Sequence, residues 1–121
     1  IKRTLIWYDK RDLGKAIADT TEAIRLDPKN PLFYGLRATW RATCPDERYR
    51  DGPKAFADAA QACQLTNYGD PNHLAVLAAA YAECGDFGKA IEWQEKANKL
   101  FIKDGAARLR LYKEKKPYRE Q

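Results

Sequence analysis

The residues of this chain with the chemistry for catalysis or metal binding are one histidine and three cysteines, and their spacing argues against both. His73 stands at the start of a predicted helix, whereas Cys44 and Cys84 each stand at the far end of one, so neither thiol should reach the imidazole. Cys63 adds no CxxC pair and no zinc-ligand spacing. We therefore expect a structural or surface histidine and three small, buried cysteines without a disulfide.

Other signatures of enzyme chemistry are also missing from the sequence. There is no Gly-rich phosphate loop, because the seven glycines fall in predicted turns, apart from Gly35 inside a predicted helix. The acidic pair Asp46 and Glu47 lies in a predicted loop, with no sign of the burial that acid–base catalysis uses. The sequence thus predicts a protein that is not an enzyme and that needs no cofactor, no metal ion and no small-molecule substrate.

The clearest structural pattern runs from Asn72 to Leu100 and predicts two helices. A first apolar stripe recurs at helical spacing, then Gly85 and Asp86 break the pattern, and a second stripe follows. Glycine suits a left-handed helix end, and Asp86 can cap the next helix. The first stripe is Leu74, Leu77, Ala78 and Tyr81, and the second is Phe87, Ala90, Ile91, Gln94 and Ala97.

This stretch resembles a tetratricopeptide repeat, a unit of 34 residues made of helix A, a turn and helix B. With Pro71 as the first position, both stripes and the turn fall on the family's spaced positions, and only Gln94 replaces a usual aromatic residue. The resemblance implies an all-α fold, a right-handed superhelical stack of antiparallel helical hairpins. Such hairpins cannot bury their apolar faces alone and need stacked neighbours.

The same pattern recurs along the chain and predicts about three repeats in one domain, 1–121. Ala16, Ala55 and Ala90 are equivalent, at spacings of 39 and 35 residues, so the second repeat carries extra residues beyond the family's 34. The predicted organisation is a truncated first repeat at 1–30, a second at 31–70 with a loop insertion at 45–53, a third at 71–104, and a capping helix with a basic tail at 105–121.

The alignment also predicts contacts between the two helices of each repeat. In this register the seventh position of helix A faces the twenty-third position of helix B, and the residue types there are matched. Arg41 stands at a normally aromatic position and has no explanation in this scheme. The predicted contacts are the ion pairs Arg3–Asp19 and Arg37–Asp58 and the apolar contact Leu77–Trp93, the Arg–Asp pairs resembling a common bacterial variant of the repeat.

The resemblance implies that helix A residues line a concave groove that binds a protein or peptide partner. The wall so predicted is small and nearly uncharged, which suits close approach of a helix or an extended apolar segment. Alternatively, the parent protein's own chain fills the groove, or the short side chains serve only superhelical packing. The implied groove residues are Leu5, Tyr8, Leu32, Gly35, Thr39, Ala42, Thr43, Asn72, Ala75, Ala79, Ala82 and Glu83.

The net charge of +5 gives a second hypothesis, because the excess lies entirely in residues 99–121, with eight basic and three acidic side chains. This segment could contact an acidic protein, a nucleic acid or a membrane surface, or it could be the solvated face of a capping helix. Tyr112 and Tyr118 are too few for a base-stacking platform. We therefore expect neither nucleic acid nor a membrane as partner. A purely structural or self-associating module is the remaining alternative.

The start of the sequence and its cysteines give expectations about the parent protein and its compartment. The sequence begins at Ile1 and contains no methionine, so we expect a piece excised from a longer protein. Its last residues resemble the ends of repeat regions at the C-terminus of large bacterial multidomain proteins, which implies a parent of that kind. It shows no apolar run of membrane-spanning length and no signal-like segment. Unpaired cysteines favour a reducing, cytoplasmic compartment. The partner's identity, the compartment and the oligomeric state stay open at this point.

Overall fold

The computed structural model describes residues 13–100 and 105–119, and every regular element in them is an α-helix. The prediction of an all-α fold is therefore confirmed. Within these residues no helix is both long and apolar enough to cross a membrane. The six helices are α1 (Leu13–Leu26), α2 (Pro31–Thr43), α3 (Gly52–Leu65), α4 (Pro71–Glu83), α5 (Phe87–Lys99) and α6 (Gly105–Lys113).

Side-chain caps fix where four of these helices begin. Each capping side chain accepts a hydrogen bond from a backbone N–H of the first turn, which satisfies a donor that has no partner inside the helix. Helices α2, α3 and α4 also carry proline in the first turn, where its missing N–H costs nothing. The caps are Asn30 for α2, Asp51 for α3, Asp70 for α4 and Asp86 for α5.

The turn between α4 and α5 has the left-handed glycine that was predicted for the end of the first helix. Gly85 has a φ of 87°, in the left-handed region that residues with a Cβ avoid. The N–H of Asp86 donates to the carbonyl of Tyr81 and that of Gly85 to the carbonyl of Ala82, at 2.9 and 3.0 Å. This paired arrangement closes the helix by satisfying its last carbonyl groups. The tight turn makes α4 and α5 a helical hairpin.

Packing between helices follows the order of the chain. Helices α2 and α3 pack as one hairpin, α4 and α5 as another, and α1 packs on α2. Helix α4 also contacts both α2 and α3, so the two hairpins share an interface. Helix α6 packs on α5 and buries Tyr112 completely, while Leu109 is half-buried. It ends at Lys113, within the segment 105–121 predicted to hold a capping helix and a basic tail.

Equivalent alanines occupy equivalent environments in the three predicted repeats. Ala16, Ala55 and Ala90 are each at most 1% exposed, although the spacing between the first two is longer by several residues. The added residues are absorbed between α2 and α3, where Asp51 N–H donates to the Arg41 carbonyl at 2.8 Å. The helices therefore keep their register across the insertion.

One carboxylate, that of Asp58, connects α2 and α3. Arg37 Nε and Nη2 donate to its two oxygens at 2.7 and 2.8 Å, and Arg41 Nη1 donates to Oδ2 at 3.1 Å. The hydrogen bonds from Arg37 raise the pKa of that guanidinium further above its usual range. Arg37 Nη1 also donates to Thr21 Oγ1 of α1 at 3.0 Å. The predicted Arg37–Asp58 pair is present, and Arg41, unexplained by the sequence, is its second cation.

The corresponding position of the third predicted repeat is apolar. Leu77 is buried in a cluster with Leu74, and Trp93 packs against that cluster from α5. The Trp93 ring also stacks on Tyr68, with ring centroids 5.6 Å apart. Leu77 and Trp93, for which a contact was predicted, thus belong to the same cluster. The pair predicted for the first repeat involves Arg3, which lies outside the described residues.

We expect Asp58→Asn to lower the free energy of unfolding by about 3 kcal/mol, because it leaves two largely buried guanidinium groups without a countercharge. The side chains of Arg37 and Arg41 are only 14% and 18% exposed. Urea denaturation followed by circular dichroism measures this change. The control is Asp46→Asn, which removes the partner of Arg48 from an exposed pair and should leave the midpoint unchanged. Equal effects of the two substitutions would contradict this account.

Candidate functional site

A pocket of about 140 Å³ lies between α2 and α4, the helices expected to be helix A of the second and third predicted repeats. All of its lining residues come from these two helices, which pack side by side. The lining residues are Leu32, Gly35, Leu36 and Thr39 from α2, and Asn72, His73 and Val76 from α4.

The rim of this pocket is open and its walls are mostly apolar. Leu32 is 41% exposed and Asn72 is exposed, whereas Leu36 and Val76 are half-buried. The Thr39 hydroxyl donates to the Gly35 carbonyl at 2.8 Å. Because that hydroxyl is already hydrogen-bonded within its own helix, it does not require a polar partner from a ligand. The pocket is therefore suited to an apolar group that enters from solvent.

The back of the pocket is closed by the imidazole of His73 lying against the backbone at Gly35. A Cβ atom added at Gly35 would come within 2.7 Å of His73 Cε1 and 2.8 Å of Nδ1, closer than carbon side chains approach. On its other side, His73 Nε2 lies 3.6 Å from Asp70 Oδ2. The absence of a side chain at position 35 is therefore what allows the ring to sit between the two helices.

Four of the residues expected to line a groove do come together around this pocket: Leu32, Gly35, Thr39 and Asn72. The other three lining residues, Leu36, His73 and Val76, are not among the predicted groove residues. A signal for two of them existed, because Leu36 and Val76 stand one helical turn after Leu32 and Asn72 and so share their faces. His73 was expected to be structural or on the surface, and it is a nearly buried wall of the pocket.

A second set of expected groove residues is buried inside the protein, which corrects the prediction of a continuous open wall. Ala79 packs with Ala42, Ala55 and Ala80, because α4 lies directly against α2 and α3 at this level. These small side chains serve helix packing and offer no surface to a partner in this conformation. The expected groove residues that the structure buries, each at most 4% exposed, are Ala42, Thr43, Ala75, Ala79 and Ala82.

The remaining expected groove residue in the described part of the chain is Glu83, at the end of α4, and other parts of the same chain cover it. Arg50 Nε, from the connection after α2, lies 3.4 Å from Glu83 Oε2. Arg119 Nη1 lies 2.9 Å from Glu83 Oε1. The Glu83 side chain is consequently only 17% exposed. Leu5 and Tyr8, also expected in the groove, lie outside the described residues.

The thiols show no arrangement that would activate them. The Sγ of Cys63 donates to the backbone carbonyl of His73 at 3.4 Å, rather than to the ring. Burial, with a smaller effect from Asp70, raises its pKa to about 12, so the thiol stays protonated at neutral pH. All three cysteines are free; Cys44 and Cys63 are buried, whereas Cys84 is exposed, contrary to expectation.

Metal ligands do not cluster around the pocket. Among residues 13–100 and 105–119, no group of three or more His, Cys, Asp or Glu side chains has the geometry to hold a metal ion.

Comparison with known proteins returned no matching protein family, no matching curated protein and no matching solved structure.

We expect Gly35→Ala to destabilise the chain by about 1 kcal/mol, because crowding against His73 outweighs the usual gain in helix propensity. In a His73→Ala background the same substitution should instead stabilise by about 1 kcal/mol, since the ring is gone. Urea denaturation of the four proteins in this double-mutant cycle measures the coupling. The same effect of Gly35→Ala in both backgrounds would show that the ring does not depend on this glycine.

Proposed function

We propose that this chain is a non-catalytic module that binds a protein partner, with a helix or peptide segment lying across α2 and α4 and one apolar side chain entering the pocket between them. The pocket between the two helix A positions is the observation that carries the proposal. Apolar anchors entering grooves between helices are a recurring mode of peptide recognition. The partner segment is therefore expected to be amphipathic or extended and apolar.

The size of the pocket favours a side chain over a small-molecule ligand. Its volume is about 140 Å³, whereas sites for drug-sized ligands and cofactors are typically about 300–1,000 Å³. A cavity of about 150 Å³ accommodates a ring the size of benzene, which is close to one leucine or phenylalanine side chain. Burial of one such side chain contributes about 1.5–3 kcal/mol, so the pocket would anchor a partner whose affinity depends also on neighbouring contacts.

We further propose that the helices belong to a right-handed superhelical stack of the tetratricopeptide-repeat type. Two observations support this. The alanines at equivalent repeat positions are equally buried. The second hairpin also contacts the first through α4, on both α2 and α3, which is the neighbour-to-neighbour packing of repeat proteins. In such a stack the pocket would lie on the face formed by successive A helices, where the family binds its partners.

We expect Leu32→Glu to weaken binding of an apolar peptide, selected from a displayed peptide library, by at least about tenfold, because a charge at the rim opposes entry of an apolar side chain. Fluorescence polarisation measures the affinity. Leu26→Glu is the matched control, since Leu26 is also an exposed leucine but lies on α1, outside the pocket. It should bind the peptide as the unaltered chain does, and both variants should keep the unaltered thermal midpoint.

The salt dependence of the same binding separates the pocket from the basic segment near the end of the sequence. Binding through the apolar pocket should persist at high salt, whereas binding through Lys113, Lys115 and Lys116, which are exposed, should be lost. Peptide binding that disappears with salt and is unaffected by Leu32→Glu would contradict the proposed function and favour the basic segment as the binding surface.

A further inference from the structure

The chain turns back on itself after α6, and the residues that follow pack onto the preceding helices. The turn is made at Lys115, which has a φ of 62° in the left-handed region. The N–H of Lys116 donates to the Leu111 carbonyl and that of Lys115 to the Tyr112 carbonyl, at 2.9 and 3.0 Å. A residue with a Cβ adopts this conformation at some energetic cost, so contacts elsewhere must stabilise it. Those contacts are made by Tyr118 and Arg119.

The ring of Tyr118 occupies a place between a cation and an apolar cluster. The Arg108 guanidinium carbon lies 4.1 Å from the centroid of the Tyr118 ring, a cation–π contact. The ring also packs against the cluster that contains Ala82, Ala90 and the fully buried Tyr112. This place is formed by α4, α5 and α6 together, and it accepts a flat aromatic side chain.

The next residue, Arg119, is bound by a carboxylate. Its Nη1 lies 2.9 Å from Oε1 of Glu83, next to the place of the Tyr118 ring. Arg50 lies on the other carboxylate oxygen at 3.4 Å and holds Glu83 independently of Arg119. Glu83 would therefore keep its position if Arg119 left. Tyr112, which is held within α6, would likewise keep its position if Tyr118 left. A binding position for an aromatic ring and a carboxylate thus lie side by side. Both are held in place by contacts that do not involve Tyr118 or Arg119.

We propose that the C-terminal end of α4 and the adjoining face of α6 form a docking site for an extended segment of a protein partner in which an aromatic residue is followed by arginine. Tyr118 and Arg119 are the resident ligand of this site in the same chain. Charge complementarity with Glu83 selects the arginine, and the cation–π contact with Arg108 selects the aromatic ring. The site is separate from the pocket between α2 and α4, and this proposal does not depend on the function proposed for that pocket.

The chemistry of the contacts makes the resident segment replaceable. A cation–π contact is a weak interaction where water reaches it, and Tyr118 and Arg119 are both only half-buried. The Arg119 side chain keeps 32% of its surface exposed, although that of Glu83 is only 17% exposed. The segment therefore exchanges between a bound and a free state, and a partner segment with the same pair of residues competes for the free site. The tether gives the resident segment a high effective concentration, so a partner must bind through further contacts to displace it.

The test uses the full 121-residue chain carrying both Tyr118→Ala and Arg119→Ala, with the peptide Lys115–Gln121 as ligand, followed by NMR titration. We expect this emptied variant to bind the peptide at least about tenfold more tightly than the unaltered chain, whose own segment competes. Peptides with Tyr118→Ala or Arg119→Glu should bind the emptied variant at least about tenfold more weakly. Glu83→Gln in the emptied variant should weaken binding of the unaltered peptide in the same way.

A matched control removes two exposed lysines, one at the end of α6 and one just after it, that do not contact the site. The variant Lys113→Ala with Lys116→Ala should bind the peptide as weakly as the unaltered chain. If the emptied variant does not fold, Arg119→Glu alone in the full chain should open the site by repulsion from Glu83 and give the same gain in affinity. The proposal is overturned if the emptied variant gains nothing, if the altered peptides bind equally well, or if the control gains as much.

Discussion

The arrangement of the helices depends on the carboxylate of Asp58, which two guanidinium groups hold between α2 and α3. These helices are joined by the longest connection between described helices, so chain connectivity alone constrains their positions poorly. Arg37 and Arg41 replace that constraint with charged hydrogen bonds of 2.7–3.1 Å, and Arg37 extends the network to Thr21 of α1. Helix α4 packs on both of these helices. The geometry of the pocket between α2 and α4 therefore depends on how this carboxylate positions α2 and α3.

The pocket itself results from a change in side-chain size along two packed helices. At the level of Ala42 and Ala79 the side chains are small and both are buried, so α2 and α4 meet closely. Nearer the helix starts, Leu32 and Asn72 point to solvent around an open space. The imidazole of His73 fills the back of that space only because position 35 is glycine. An apolar opening thus lies beside a closed, apolar interface, which is the geometry that a single anchoring side chain needs.

Caps, turns and ion pairs could be predicted from the sequence. Which expected groove residues other parts of the chain cover could not. The Asp86 cap, the left-handed Gly85 and the Arg37–Asp58 pair depend on residues close together in sequence or on the predicted repeat register, so their spacing is informative. Whether a wall of alanines is open or buried depends on how closely two helices approach, and composition does not report that distance. Glu83 is the clearest case, since Arg119, 36 residues further along the chain, covers it.

The most direct measurement of the central claim is NMR mapping of a selected apolar peptide on the ¹⁵N-labelled chain. The account predicts amide shifts concentrated at the pocket residues Leu32, Gly35, Asn72, His73 and Val76, with the end of α6 unchanged. Shifts concentrated at Lys113, Lys115 and Lys116, with the pocket amides unaffected, would contradict the claim that this chain binds its partner between α2 and α4.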